Sequence, residues 1–174
     1  TEIYTLSLHD ALPIWAKEGD SPESLKMLAE TIERSTTKYI LVLLGQRVTP
    51  GSLTDARAIP LPAERLLASA LEVYSDKLTA GARALTKHVN RNSGEFWGEV
   101  KGSQEEKNEK ARRIILHILD HATWWNVFEH YKHGIVFEAR VSSGHGVRWG
   151  KDGQELIGFL EPFTPGFPNI REES

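Results

Sequence analysis

The chain has 174 residues, enough for one domain with a sizeable hydrophobic core. Hydrophobic residues make up 40% of it and charged residues 26%, as in an ordinary globular protein. The formal net charge of −3 excludes a global attraction to nucleic acid or anionic lipid, so any such binding has to be local. The absence of cysteine excludes disulfides and thiolate chemistry and is compatible with the cytoplasmic location that we expect.

The N-terminal stretch needs separate treatment. Residues 1–14 resemble the translation of a sequencing adapter, a contaminant of assembled metagenomic reads. We therefore exclude residues 1–15 from the functional prediction as a non-native segment, and we expect the natural protein to begin further upstream. Residues 16–164 are predicted to form a single α+β domain. The tail, residues 165–174, contains prolines and glycine and is predicted to be loosely ordered.

The first part of the domain predicts a helix, a strand and a long connection. Ser21-Pro22-Glu23 is typical of a helix start, because serine caps and proline suits the first helical position. The continuous apolar run 39–44, ended by glycine, predicts a buried strand and is too short to span a bilayer. Residues 46–62 hold three prolines and predict an irregular connection.

Three more helices are predicted in the middle of the chain. Pro62 opens one that extends to about Tyr74. A capping box at residues 103–106 opens another. Between them, Thr79 caps a helix that runs to about residue 90. Its apolar stripe lies opposite a cationic row in which Arg83 and Lys87 are interpreted as a solvated face.

The last third predicts a sheet. Residues 124–131 are interpreted as an aromatic connection, and residues 135–141 alternate as a strand does. Asp152-Gly153 is typical of a tight hairpin, so about 147–151 should pair with about 154–160. The predicted fold class is α+β, with three or four helices packed on a small, mainly antiparallel sheet that ends in a C-terminal β-hairpin.

The loop around His145 concentrates functional side chains. Glycines on both sides of His145 allow backbone N–H groups to form an anion-binding nest. Arg148 can grip a phosphate or carboxylate, and Trp149 can stack on a base. The alternative is a bulged hairpin connection whose arginine pairs with Glu138 or Glu161.

Two other regions carry candidate ligand-binding residues. Lys107 and Asn108 fall on the apolar side of the first turn of their helix, where free N–H groups and the helix dipole favour an anion. Alternatively, Lys107 reaches around the core edge and Asn108 satisfies backbone groups. His88 and Arg91 lie beside the turn that carries Trp97, and could bind phosphate and transfer protons near neutral pH.

The remaining histidines suggest a third, lower-ranked interpretation. His117 and His121 are one helical turn apart, and His130 and His133 follow. Such a pair can bind zinc, but a third ligand and a general base are needed, so we predict no metal and no cofactor. The chain also lacks the common nucleotide, esterase and calcium-binding motifs.

Several short segments share a pattern with known sequences. They are Leu78–His88, Arg91, Trp97-Gly98, Lys107-Asn108, Val136–Arg140, Gly144–Trp149 and Gly158–Pro162. Over about 78–162 the chain thereby resembles an uncharacterised family found in bacterial and plant proteins. The resemblance implies that this stretch is one unit, and it implies no activity.

We predict a cleft where the His145 loop, the end of the His88 helix and the start of the Lys107 helix meet. It would bind a phosphate-bearing ligand, either a nucleotide or an RNA end. The sequence leaves open whether the protein is an enzyme. In the enzyme version His88 and His145 act as general acid and base. Charge is then stabilised by Arg91, Lys107 and Arg148, and the base is stacked by Trp97 or Trp149.

The alternative is a non-catalytic interaction domain. Here an aromatic surface of Trp124, Trp125 and Tyr131 binds a partner, and the cations serve solubility. Convergence of the candidate residues on one concave pocket would favour the ligand-binding hypothesis. The sequence does not determine the oligomeric state.

Overall fold

The computed structural model describes residues 21–91 and 94–163, in which five α-helices precede a four-stranded antiparallel sheet. The helices are α1 (Pro22–Arg34), α2 (Thr37–Leu43), α3 (Ala63–Leu71), α4 (Ala80–Val89) and α5 (Gln104–Asp120). A short hairpin, β1 (Val73–Ser75) with β2 (Leu78–Thr79), separates α3 from α4. The predicted non-native segment, 1–15, and the predicted tail, 165–174, lie outside the described residues.

The sheet is a simple meander of consecutive strands. Its strands are β3 (Trp124–His130), β4 (Gly134–Arg140), β5 (Gly146–Gly150) and β6 (Leu156–Leu160), in that spatial order. Short turns suffice because each strand pairs antiparallel with the next one in the chain. The predicted fold class, including the C-terminal hairpin, is confirmed.

One face of the sheet forms the hydrophobic core. Cross-strand partners share a face, and the set Val127, Phe137 and Trp149 lies in register across three strands. Helices α3, α4 and α5 pack on this face and on each other. Gly81 lets α4 approach α3 closely, because a Cβ there would lie 3.0 Å from the Ala70 carbonyl oxygen on α3.

The opposite face of the sheet holds a buried charge network. Glu138 and Arg140 on β4 are 1% and 2% exposed, although both are charged. Glu138 pairs with Arg140 through Nε at 3.3 Å and with Arg148, its cross-strand partner, through Nε at 2.6 Å. Burial without such pairing would be very costly, so these residues form one unit.

Local capping signals of the sequence are reproduced. The Ser21 side chain accepts from the Ser24 N–H, and the Thr79 side chain accepts from the Ala82 N–H. At α5, Ser103 and Glu106 form the reciprocal capping box. These signals act within a few residues, which is why sequence alone located the helix starts.

Three predicted elements were wrong. The run 39–44, predicted as a buried strand, lies mostly in helix α2, and its Tyr39 is 63% exposed. A short apolar run does not distinguish strand from helix by periodicity. Residues 124–130, predicted as a connection, form strand β3. The helix predicted to extend to about Tyr74 ends at Leu71, because residues 73–75 form strand β1. Asp76 and Lys77, both with positive φ, make the turn from β1 to β2.

Candidate functional site

Two imidazoles and an indole converge on one carboxylate. Nε2 of His88 lies 2.8 Å from Oε1 of Glu161. The indole Nε1 of Trp97 donates to the same oxygen at 2.7 Å. Nε2 of His145 lies 3.4 Å from the other oxygen, Oε2. We call these four residues the Glu161 cluster.

Four separate segments build the Glu161 cluster. His88 is in the last turn of α4, and Trp97 lies in the connection to α5. His145 is in the β4–β5 loop, and Glu161 directly follows β6. Gly144 lets this loop approach the chain after Glu161, since its φ is +86° and a Cβ there would lie 3.0 Å from Cβ of Pro162.

Aromatic packing fixes the orientation of both imidazoles. The Phe96 ring stacks on the His145 ring with centroids 4.0 Å apart and planes 2° apart. Trp97 contacts both imidazoles edge to face, at 5.0 Å from His88 and 5.3 Å from His145. The Ser143 hydroxyl lies 2.9 Å from Nδ1 of His145. Both rings are therefore held by hydrogen bonds and by aromatic neighbours.

The surroundings shift two ionisation equilibria. Burial lowers the pKa of His145 below its ordinary value, and the opposing charge of Glu161 does not cancel this effect. Burial alone would raise the pKa of Glu161, but hydrogen bonds from Trp97 and His88 bring it below the ordinary value. Near neutral pH the cluster therefore holds a carboxylate beside a His145 ring that is mainly neutral.

The Glu161 cluster is accessible to solvent and lies between two hollows. The Glu161 side chain is 36% exposed, and the imidazoles are 13% and 16% exposed. His88 lines a groove of about 460 Å³ between α4 and β6, which we call the α4 groove. Trp97 lines a second hollow of about 600 Å³ on the α5 side. Among the described residues, none forms a hydrogen bond with Nδ1 of His88, so this nitrogen can reach a ligand.

The structure brings part of the predicted site together. His88, His145 and Trp97 meet at Glu161, and Arg91 lines the α4 groove beside His88. Trp97 is only 1% exposed. It therefore supports the imidazoles from within the core, whereas the sequence predicted that it would stack on a base.

Arg148 and Trp149 lie apart from this cluster. Consecutive residues of a strand point to opposite faces of the sheet. Arg148 lies on the back face and pairs with Glu138, as in the hairpin alternative. Trp149 is fully buried, and its Nε1 donates to the Leu66 carbonyl oxygen. A ring without exposed surface has no face for a ligand, so the predicted stacking by Trp149 is contradicted.

Lys107 and Asn108 also lie away from the Glu161 cluster. The Asn108 amide accepts from the Thr79 N–H and donates to the Lys77 carbonyl, which ties α5 to the start of α4. His88 is nine residues further along α4, about 13 Å at 1.5 Å per residue. At the α5 N-terminus the capping box satisfies two N–H groups, because Glu106 accepts from the Ser103 N–H and the Ser103 side chain accepts from the Glu106 N–H.

The anion-binding nest predicted beside His145 is also not formed at Gly144. The Gly144 N–H donates to the Val141 carbonyl oxygen at 2.8 Å. The loop is instead closed by its own backbone, because the Val141 N–H donates to the His145 carbonyl oxygen. The loop therefore holds the imidazole of His145 beside Glu161.

Three residues of the site were not predicted from the sequence, namely Glu161, Phe96 and Ser143. Glu161 was considered only as an alternative partner of Arg148. Its position as the first acid after strand β6, before a proline, was the available signal. Acids often follow strands, so only the convergence of distant segments distinguishes this one.

The alternative aromatic surface is not formed by the three predicted residues. Trp125 is 9% exposed and donates through Nε1 to the Leu44 carbonyl oxygen. Trp124 lies on the back face, and Tyr131 is 95% exposed in the β3–β4 turn. Strand alternation separates the two tryptophans, because they are neighbours in β3.

The remaining histidines do not converge. The rings of His117 and His121 stack with centroids 4.4 Å apart, and His130 lies near His133. Among residues 21–91 and 94–163, no group of three or more metal-ligating side chains is arranged to hold a metal ion. Likewise, no helix in these residues has the length and apolar composition needed to cross a membrane.

Comparison with protein families identifies the second half of the chain. The model of the CdiA C-terminal tRNase toxin domain matches residues 67–161. The chain belongs to this family. Neither a curated protein nor a solved structure matches it significantly.

The matched range, 67–161, can be compared with the resemblance over about 78–162 that the sequence showed. It covers nearly the whole stretch, about 78–162, that was expected to form one unit, and it contains the complete Glu161 cluster. The expectation of an uncharacterised family is wrong, since the family's description names an activity. Helices α1 and α2 precede the matched range.

Proposed function

We propose that the protein is a ribonuclease that cleaves phosphodiester bonds of tRNA at the Glu161 cluster. The observation that carries this proposal is the convergence of His88 and His145 on one carboxylate at a solvent-accessible position. The family's description supplies the substrate class. Two imidazoles suffice for RNA cleavage, because the chemistry requires one proton acceptor and one proton donor.

The reaction balances without a further co-reactant. His145 accepts the proton of a ribose 2′-hydroxyl, whose oxygen attacks the adjacent phosphorus. The bond from phosphorus to the 5′-oxygen breaks, and His88 donates a proton to that oxygen. The products are a 2′,3′-cyclic phosphate and a 5′-hydroxyl end. The two histidines then exchange protons with solvent and return to their starting forms.

The assignment of acid and base follows from the contacts. His145 is the base because burial lowers its pKa and keeps the ring mainly neutral near pH 7. Its Nδ1 now contacts the Ser143 hydroxyl, which the substrate hydroxyl would replace. His88 is the acid, since Glu161 at 2.8 Å balances a positive ring while Nδ1 remains free to donate.

Cleavage of total tRNA by the purified protein tests the proposal. Denaturing gels should show discrete fragments with 2′,3′-cyclic phosphate ends. His88→Ala and His145→Ala should each lower kcat by about 10²- to 10⁴-fold, because each removes one proton-transfer group. His133→Ala is the matched control, an exposed imidazole in the β3–β4 turn, and should retain full activity. Absence of RNA cleavage by the wild-type protein would end the proposal, as would full activity of either alanine variant.

A further inference from the structure

The α4 groove carries three cations that form no ion pair within the described part of the chain. Arg83, Lys87 and Arg91 line it, and within the described residues no ion pair involves any of the three. Some cations elsewhere are paired, for example Arg57 with Asp55 and Arg148 with Glu138; what distinguishes the groove is that three unpaired cations line the same hollow. Unpaired cations along a groove that leads to His88 form a binding surface for an anionic chain.

The spacing of these cations matches a repeating anion. Arg83 and Lys87 are one turn apart on α4, which places them about 6 Å apart along the helix. Arg91 lies two residues beyond the end of α4, in the turn that follows it. Successive phosphates of a nucleic-acid strand lie a comparable distance apart. Arg83 is held over the Tyr74 ring at 3.8 Å, so its position is fixed at one end of the row. Arg91 lies at the other end, beside His88.

The opposite wall of the groove is strand β6. It is the edge strand of the sheet, and it runs toward Glu161. Gly158 leaves the groove open, since a Cβ at this position would meet no atom within 4 Å. Two acids, Glu72 and Glu155, also line the groove. Glu72 precedes the β1–β2 hairpin that leads into α4, and Glu155 precedes β6. Both acids therefore lie at the end of the groove that is far from Glu161.

We propose that the α4 groove binds the ribose–phosphate backbone of single-stranded RNA on one side of the scissile bond. The inference rests on the proposed function and specifies how the same site holds its substrate. The row spans about 12 Å, enough for about three phosphates, and the two acids limit the bound length beyond it. Because contacts to phosphates do not read the bases, RNA affinity on this side of the site should not depend on base sequence.

Substrate length gives the first test. Oligoribonucleotides that extend on only one side of the scissile bond are compared by their KM values. Added nucleotides on the groove side should lower KM for about the first three and then have no further effect. An equal gain on both sides, or no gain at all from added nucleotides, would overturn the inference.

Charge removal gives the second test. The triple variant Arg83→Gln, Lys87→Gln, Arg91→Gln is compared with Lys26→Gln, Lys38→Gln, Lys132→Gln, which removes the same charge from exposed positions elsewhere. The groove variant should raise KM for RNA on the order of tenfold, with kcat little changed. The slope of log affinity against log salt should fall by about 0.7 per lost phosphate contact, or about 2 in total. The control variant should keep the wild-type slope.

Binding to a labelled twelve-nucleotide RNA, measured in the His145→Ala background, separates this inference from the proposed function. If the wild type cleaves RNA but the groove and control variants have equal KM values and salt slopes, the groove inference fails alone. If the wild type does not cleave RNA, but the groove variant loses RNA binding and the control variant keeps it, the proposed function fails and the groove inference stands. If no RNA binds, both fail. A third variant, Arg83→Lys with Lys87→Arg and Arg91→Lys, keeps all three charges and should keep the wild-type slope of log affinity against log salt. A reduced slope in this variant would overturn the inference.

Discussion

At the scale of single residues, Glu161 organises the site. One oxygen receives hydrogen-bonding contacts from Trp97 and His88, and the other faces His145. A carboxylate in this position aligns an imidazole and balances its charge when the ring is protonated. In the proposed reaction, its role is to position the two imidazoles and to balance their charge.

Glu161→Gln removes the negative charge of the side chain and keeps its shape. The amide oxygen can still accept from Trp97, but the negative charge is lost, so kcat should fall on the order of 10²-fold. The opposing charge of Glu161 raises the pKa of His145, so its removal lowers that pKa further. The acidic limb of the kcat profile should therefore move to lower pH.

A pH series of kcat for wild type and Glu161→Gln provides the measurement. In the wild type, activity should increase as His145 loses its proton, with a midpoint below the ordinary value of 6.5. Glu129→Gln removes an exposed carboxylate from β3 and is the control. An acidic limb that stays in place, or moves to higher pH, in Glu161→Gln would contradict the assignment of His145 as base.

At the scale of structural elements, Arg140 connects the back face of the sheet to the site. Its Nη1 donates to the carbonyl oxygens of Gly144 at 2.6 Å and Glu161 at 2.7 Å. Its Nε contacts Glu138, and its guanidinium lies 4.4 Å from the centroid of the Phe163 ring. Arg140 thus holds the His145 loop and the end of β6 together, which makes it a positioning residue.

Arg140→Lys keeps the charge but replaces a planar fork by a single ammonium group. It cannot serve both carbonyl oxygens and Glu138, so the free energy of unfolding should fall by about 2 kcal/mol. Displacement of His145 should lower kcat about 10- to 100-fold while KM for RNA changes little. Chemical denaturation and kinetics measure the two effects.

Arg57→Lys is the control for this prediction. It alters an ion pair with Asp55 whose side chains are both more than half exposed, and such pairs contribute little to stability. A normal kcat together with reduced stability in Arg140→Lys would show that Arg140 supports the fold alone. A change in KM without a change in kcat would place its effect on substrate binding instead.

At the scale of the whole molecule, charge is distributed unevenly. The net charge of −3 gives no sign of a groove lined by Arg83, Lys87 and Arg91, which form no ion pair within residues 21–91 and 94–163. The sequence interpreted Arg83 and Lys87 as a solvated face, and Lys87 is indeed exposed. A helical wheel does not show that strand β6 lies opposite. A local excess of one sign of charge is sufficient to attract a polyanion at short range.

The stability of the molecule should depend on pH in a defined direction. Burial lowers the pKa of both His145 and His130 below the ordinary value. Above about 6.5, the value in the unfolded chain, this contribution is fully present. As pH falls through the lower folded-state values, the unfolded chain binds protons more tightly and the free energy of unfolding decreases. The lowered pKa of Glu161 adds a further loss below about 4.5.

Calorimetry between pH 4 and pH 8 measures this dependence. The Tm should be steady above pH 7 and decrease from about pH 6.5 downward. The Tm of the His145→Gln variant should decrease less steeply between pH 6.5 and 5, because one of the contributing imidazoles is absent. A Tm that increases on acidification from pH 7 to 5.5 would contradict the lowered pKa values.

The sequence by itself determined the features that depend on neighbouring residues. Capping residues located the starts of α1, α4 and α5, and alternation with a glycine-containing turn located β4, β5 and β6. These signals follow from backbone geometry and hydrogen bonding over a few residues. The α+β class and the importance of His88 and His145 as candidates were accessible in this way.

Only the tertiary structure decided which candidates meet. His88 and Glu161 are 73 residues apart, and their contact depends on the register of four strands and on how α4 packs against β6. The same register turned Arg148 to the back face and buried Trp149, although the two are neighbours in sequence. Strand alternation and helix packing assign each side chain to a face, and no pattern of consecutive residues specifies what lies opposite it.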